Sequence, residues 1–145
     1  MAWRQRLDEI FRELRQSRRR ETAEERHRRV EQFIRSTAAA AFADLKSELE
    51  KHDRKVEVTA AQDAATITVF RDDDEEFYYA IKARRYHKGN FAFPMLPLED
   101  AYGHVYRAEA LVREGPLHRD VTDFSKERII QNFLYEYQRH IHWTL

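Results

Sequence analysis

Apolar residues recur at helical spacing at the start of the chain, and the pattern then stops. They stand four, three and four positions apart with one more beside them, and they are Trp3, Leu7, Ile10, Phe11 and Leu14. This spacing predicts a short helix with one narrow apolar face, which we call the N-terminal stripe. Residues 15–29, the Arg-rich bridge, contain seven arginines and only one apolar residue, Ala23. Residues 1–21 are therefore predicted to be a basic amphipathic arm, followed by a bridge exposed to solvent whose structure, helix or loop, the pattern leaves open.

Helical spacing returns at Val30 and continues to Leu49. The apolar positions repeat after eleven residues, which fits a straight helix better than a sustained heptad. The apolar face is broad, so we expect this helix to lie against a sheet.

Beyond His52 the apolar residues alternate with polar ones, as expected for strands with one covered face. The alternating segments are residues 55–60, 66–69, 76–83 and 104–113. Because the connections between the first three are short, these strands are predicted to be antiparallel neighbours. A short additional strand is expected at residues 91–93.

The last part of the chain has the pattern of a helix. Ser125 is expected to cap it, and one face is apolar, formed by Ile130, Phe133, Leu134, Tyr137 and Ile141. The predicted fold class is therefore α+β: an N-terminal helix or helix pair, a four- to five-stranded antiparallel meander, and a C-terminal helix packed on the sheet. Residues 22–145 are predicted to form this single domain.

Charge is balanced over the 145 residues, with 26 basic and 26 acidic side chains, but it is unevenly distributed. Residues 1–35 carry a net charge of +4 and the remainder carries −4. Overall neutrality argues against a dedicated nucleic-acid-binding domain, so phosphate contact through the arginines is a disfavoured alternative. No segment is long and apolar enough to cross a bilayer, and no signal peptide is recognisable. We expect a cytoplasmic protein without membrane contact.

Polar side chains gather at the end of the third predicted strand and the start of the fourth. Those that could line a ligand pocket above the sheet are Tyr79, Arg84, Arg85, His87 and His104. Loops at strand ends often carry function, but an exposed hairpin tip with half-buried tyrosines explains the same residues and is the favoured interpretation.

Motifs that would indicate an enzyme are missing from the sequence. Three glycines cannot form a Gly-rich phosphate loop, and no cysteine exists for thiolate chemistry. The seven histidines show no metal-ligand spacing. We therefore predict no catalytic residues, no metal and no cofactor.

These observations favour a non-enzymatic protein-interaction module. The five residues of the N-terminal stripe are predicted to mediate self-association, with a homodimer as the simplest result. A different protein partner is possible, as is packing of the arm on the chain's own sheet. The alternative functions are a small-ligand-binding protein or enzyme that uses the Arg/His/Tyr group, and weak nucleic-acid contact through the arm.

Overall fold

The computed structural model describes residues 2–20, 23–87 and 104–144. Within these ranges, the helices are α1 (Ala2–Arg20), α2 (Ala23–Phe33), a π-helical turn (Ile34–Ala38), α3 (Ala39–Glu50) and α4 (Lys126–Thr144). The strands are β1 (Lys55–Ala60), β2 (Ala64–Arg71), β3 (Asp74–His87), β4 (His104–Val112) and β5 (Gly115–Asp120). The α+β class is thus confirmed, with an N-terminal helix, a sheet and a C-terminal helix.

The strands form one sheet in the order β1-β2-β3-β4-β5. Strand β1 pairs with β2, β2 with β3 and β4 with β5, each in antiparallel orientation. The turn between β2 and β3 is tight, and Asp72 and Asp73 both have positive φ (50° and 70°). Two such residues in a two-residue turn are typical of hairpins whose turn twist matches that of the strands. The predicted meander is therefore confirmed in its five-stranded form.

The sheet contains a fifth strand that the alternating segments did not include. Residues 91–93, where a short strand was expected, lie outside the described residues. Within the described residues, β5 is formed by Gly115–Asp120, a segment without alternating apolar residues. His118, which lies in this strand, has a positive φ of 54°. Pairing with β4, rather than local pattern, determines this strand.

Helices α2 and α3 form the continuous segment that the eleven-residue repeat predicted. The π-helical turn between them has wider backbone hydrogen-bonded rings than the α-helices on either side. In this turn, Ser36 Oγ donates a hydrogen bond of 2.6 Å to the Gln32 carbonyl. The buried residues of the segment match the predicted apolar face and include Val30, Ile34, Phe42 and Leu45.

The chain divides into two compact units. One comprises Met1–Arg28 and Arg85–Tyr106, and the other comprises Arg29–Arg84 and Arg107–Leu145. The first unit contains the predicted arm, and the second contains the apolar core. Within the second unit, the helices cover one face of the sheet.

Aromatic rings of β3 and α4 lie at the centre of this core. The Tyr79 and Phe133 rings meet edge to face at 5.5 Å, and the Phe77 ring stacks on Tyr137 at 5.3 Å. At the start of α4, the Arg128 backbone N–H donates to Ser125 Oγ at 3.2 Å. Both the predicted cap and the predicted packing of the C-terminal helix on the sheet are confirmed, but Leu134, expected on the packed face, is 48% exposed, and Ile129 is buried there instead.

Candidate functional site

The N-terminal stripe is exposed on α1. The exposed fractions of its side chains range from 38% at Ile10 to 60% at Trp3. Described side chains on this helix, from residue 2 to residue 15, are all classed as exposed. Amphipathic helices gain most of their stability from packing of the apolar face, and this face of α1 is exposed instead.

Charged side chains border the stripe. Arg6 Nη1 lies 3.5 Å from Glu9 Oε2, and the Arg4 guanidinium carbon lies 5.1 Å from the centre of the Trp3 ring. Both contacts are local to the helix and exposed to solvent, where such pairs add little stability. They leave the apolar side chains uncovered.

The second half of the Arg-rich bridge is not simply solvated, contrary to expectation. Arg26 Nε donates a hydrogen bond of 2.9 Å to the Tyr106 carbonyl. The His27 ring stacks on the Tyr106 ring, with centroids 4.0 Å apart and an interplanar angle of 12°. Arg29 pairs with Asp123 at 3.1 Å. These contacts bring distant parts of the chain to the start of α2, and a polar sequence pattern gives no sign of them.

The predicted ligand residues have different environments. Tyr79 is fully buried, and its hydroxyl donates a hydrogen bond of 2.5 Å to Asn132 Oδ1. Burial raises the pKa of this phenol above its ordinary value. Arg84 and Arg85 are exposed. The side chains of His87 and His104 lie outside the described residues.

A buried cluster of charges on β4 was missed. Arg107 and Glu109 have side chains that are 8% and 1% exposed, and their Nε and Oε2 atoms are 3.5 Å apart. Arg107 Nε also lies 3.3 Å from Asp120 Oδ2, and Arg84 Nε lies 4.0 Å from Glu109 Oε1. Two guanidinium groups thus face two carboxylates, so the buried charges compensate one another. The alternation had placed Arg107 and Glu109 on a solvent-exposed face.

A second polar group lies beside the acidic turn. Glu76 Oε1 accepts a hydrogen bond of 2.9 Å from Arg54 Nε and a short one from the Tyr137 hydroxyl. Burial alone would raise the pKa of the Glu76 carboxyl, but the hydrogen bonds from Arg54 and Tyr137 outweigh it, so the pKa is lowered. Burial and the bond to Glu76 raise the pKa of Tyr137 to about 12. The Glu76 carboxylate thus accepts hydrogen bonds from both Arg54 and Tyr137 of α4.

A shallow cleft lies between α4 and the turn from β4 to β5. Its volume is about 380 Å³, and its lining includes Phe77, Pro116 and Leu117. His140 Nδ1 at its edge lies 3.3 Å from Glu114 Oε1. The polar groups of this cleft thus contact each other. Among the residues that the structure describes, no group of three or more His, Cys, Asp or Glu side chains could hold a metal ion.

Part of this chain is similar in sequence to parts of two transport proteins. No protein-family model matches the chain. The chain is 25% identical to the glycine betaine transporter of Acinetobacter baylyi over 114 residues, which are 79% of this chain and 17% of the transporter. It is 29% identical to the high-affinity choline transport protein of Escherichia coli over 77 residues, which are 53% of this chain and 11% of that protein. The matched segments therefore cover less than a fifth of the curated relatives' length.

In the described ranges, 2–20, 23–87 and 104–144, no helix combines the length and apolar character needed to span a membrane.

Proposed function

We propose that this chain is a non-enzymatic interaction module that self-associates through the N-terminal stripe. The observation that carries the proposal is the exposure of five large apolar side chains on one face of α1. A face of this kind loses unfavourable contact with water when a second copy covers it. A two-fold dimer is the simplest assembly, because each copy then offers the same surface.

The magnitudes indicate a weak dimer. Full burial of a large apolar side chain contributes about 1.5–3 kcal/mol, and those of the stripe have only about half of their surface left to bury. Eight to ten such side chains from two copies would contribute on the order of 10 kcal/mol, whereas association costs an estimated 4–15 kcal/mol. At the lower end of that cost, the difference corresponds to a dissociation constant of roughly tens of micromolar to millimolar, which is the range that we expect.

The similarity to transporters supports a location for such a module. The matched segments cover 17% and 11% of the two transporters, and among the described residues no helix is long and apolar enough to cross a membrane. We infer that the resemblance lies in an extramembrane part of those proteins. In this proposal the module acts in the cytoplasm and brings together copies of the protein that carries it.

The test is the molar mass of two matched variants. In L7K/I10K, two stripe residues become charged, whereas A2K/Q5K adds the same charges three positions apart on another face of α1. Light scattering is measured on both variants and on the unchanged chain at protein concentrations up to about 1 mM, where a weak dimer is populated. The proposal predicts that A2K/Q5K retains the mass increase of the unchanged chain and that L7K/I10K stays at 17.5 kDa. Equal behaviour of the two variants would contradict it.

A further inference from the structure

We propose that two copies of α1 pair in antiparallel orientation, with Trp3 opposite Leu14 of the second copy and Leu7 opposite Ile10. This inference rests on the proposed function and specifies its interface. It follows from the spacing of the stripe and from the charges along one of its edges. Both the apolar side chains and the bordering Arg6 side chain are exposed.

The spacing of the stripe is the same in both directions. Trp3, Leu7, Ile10 and Leu14 are separated by four, three and four residues, so the reversed order gives the same series. When a second helix lies antiparallel, each large residue meets one from the other end of the series. The four layers are then filled by two Trp–Leu and two Leu–Ile contacts, in the manner of knobs packing into holes.

The charges along one edge distinguish this orientation from a parallel one. At about 100° per residue, Arg6 and Glu13 lie on the same border of the stripe, one near each end. In the antiparallel register, Arg6 of each copy lies opposite Glu13 of the other, which gives two symmetric attractive pairs. A parallel register would place Arg6 next to Phe11 of the second copy instead.

Both edges can accommodate the contact. The Arg6 side chain is 64% exposed, and its long contact of 3.5 Å with Glu9 is also exposed, so Arg6 can turn toward the second copy at little cost. On the opposite edge, the antiparallel register brings Arg4 close to Phe11 of the second copy, where a guanidinium over an aromatic face is favourable. Arg4 already lies over the Trp3 ring of its own helix.

The first test reverses the charges. R6E places Glu opposite Glu13, and E13R places Arg opposite Arg6, so each single variant loses two attractive pairs and gains two repulsive ones. Each is expected to weaken dimerisation by roughly ten-fold, since exposed pairs are individually weak but occur twice here. R6E/E13R restores both pairs and is expected to dimerise within about two-fold of the unchanged chain. R12E is the control, because Arg12 lies away from the stripe.

The second test reads orientation directly. The chain contains no cysteine, so single cysteines report contacts without background. When L7C and I10C are mixed in equal amounts and oxidised, random pairing would make half of the disulfides mixed, whereas the antiparallel register predicts that the mixed L7C–I10C disulfide clearly exceeds the sum of the two symmetric products. Circular dichroism verifies that α1 remains helical in every variant.

The possible outcomes separate the register from the function. A dimer in which R6E/E13R fails to recover, or in which L7C links mainly to L7C, overturns the antiparallel register and leaves self-association intact. An unchanged chain that stays at 17.5 kDa at all concentrations overturns the proposed function as well.

Discussion

The hydrogen bond between Tyr79 and Asn132 gives the sharpest prediction about the core. Tyr79 is fully buried and Asn132 is 6% exposed, and the phenol donates to Asn132 Oδ1 at 2.5 Å. Y79F removes the hydroxyl and retains the ring that packs on Phe133. The Asn132 acceptor then remains buried without this donor, which costs about 1–3 kcal/mol of unfolding free energy.

The matched control is Y135F, which removes the same hydroxyl from a side chain that is 59% exposed. Surface changes of this kind usually stay within about 0.5 kcal/mol. Unfolding free energies are measured by urea denaturation. In a separate thermal unfolding experiment, Y79F is expected to lower the melting temperature by about 2–12 °C. In a double-mutant cycle with N132A, the two residues are expected to show a coupling of about 0.5–3 kcal/mol. A Y79F variant as stable as Y135F, or strictly additive effects in the cycle, would refute the assignment of Tyr79 to the core.

Three further predictions concern pH and packing. Because the pKa of Glu76 is lowered, this carboxylate contributes its full stability at pH values above the ordinary carboxyl pKa, and the contribution is lost as pH falls through the folded-state pKa. E76Q should therefore flatten the acid side of a profile of unfolding free energy against pH. An acid slope that E76Q leaves unchanged would count against this reasoning. Because the pKa of Tyr137 is about 12, its protonated hydroxyl contributes its full stability at pH values below the ordinary pKa of 10.0, and the contribution is lost as pH rises toward 12. Y137F should remove this loss, which is measured by unfolding at alkaline pH. F133A deletes a fully buried ring and should cost about 3–5 kcal/mol, whereas Y135A should cost less than about 1 kcal/mol; similar denaturation midpoints for the two would contradict the packing.

Much of the fold could be predicted from local pattern. Alternation of apolar and polar residues identified β1 to β4, because one face of each strand is buried and the other is more exposed to solvent. The eleven-residue repeat identified α2 and α3 as one segment, and Ser125 gave the start of α4. In each case the information lies within a few residues of the element that it specifies.

The unpredicted features depend on partners far away in sequence. Strand β5 is formed by pairing of Gly115–Asp120 with β4, although it lacks alternating apolar residues. Arg107 and Glu109 are buried because Asp120 and Arg84 supply opposite charges, and no local pattern distinguishes such a pair from a solvated one. The stacking of His27 on Tyr106 is equally non-local.

The candidate site also combines features that local sequence indicates with features that it does not. The N-terminal stripe is exposed on α1, and its role in self-association stays a prediction. The ligand group of Tyr79, Arg84, Arg85, His87 and His104 stays a prediction, and the full burial of Tyr79 is the feature that local sequence does not provide. Alternation can assign a strand residue to a face, but which face is sealed depends on the helices packed there.

The most direct measurement is sedimentation equilibrium of the unchanged chain from about 10 µM to 1 mM, a range set by the expected weak affinity. Self-association through the stripe predicts an average mass that rises with concentration from 17.5 kDa toward twice that value. A mass that remains at 17.5 kDa over the whole range would contradict the account.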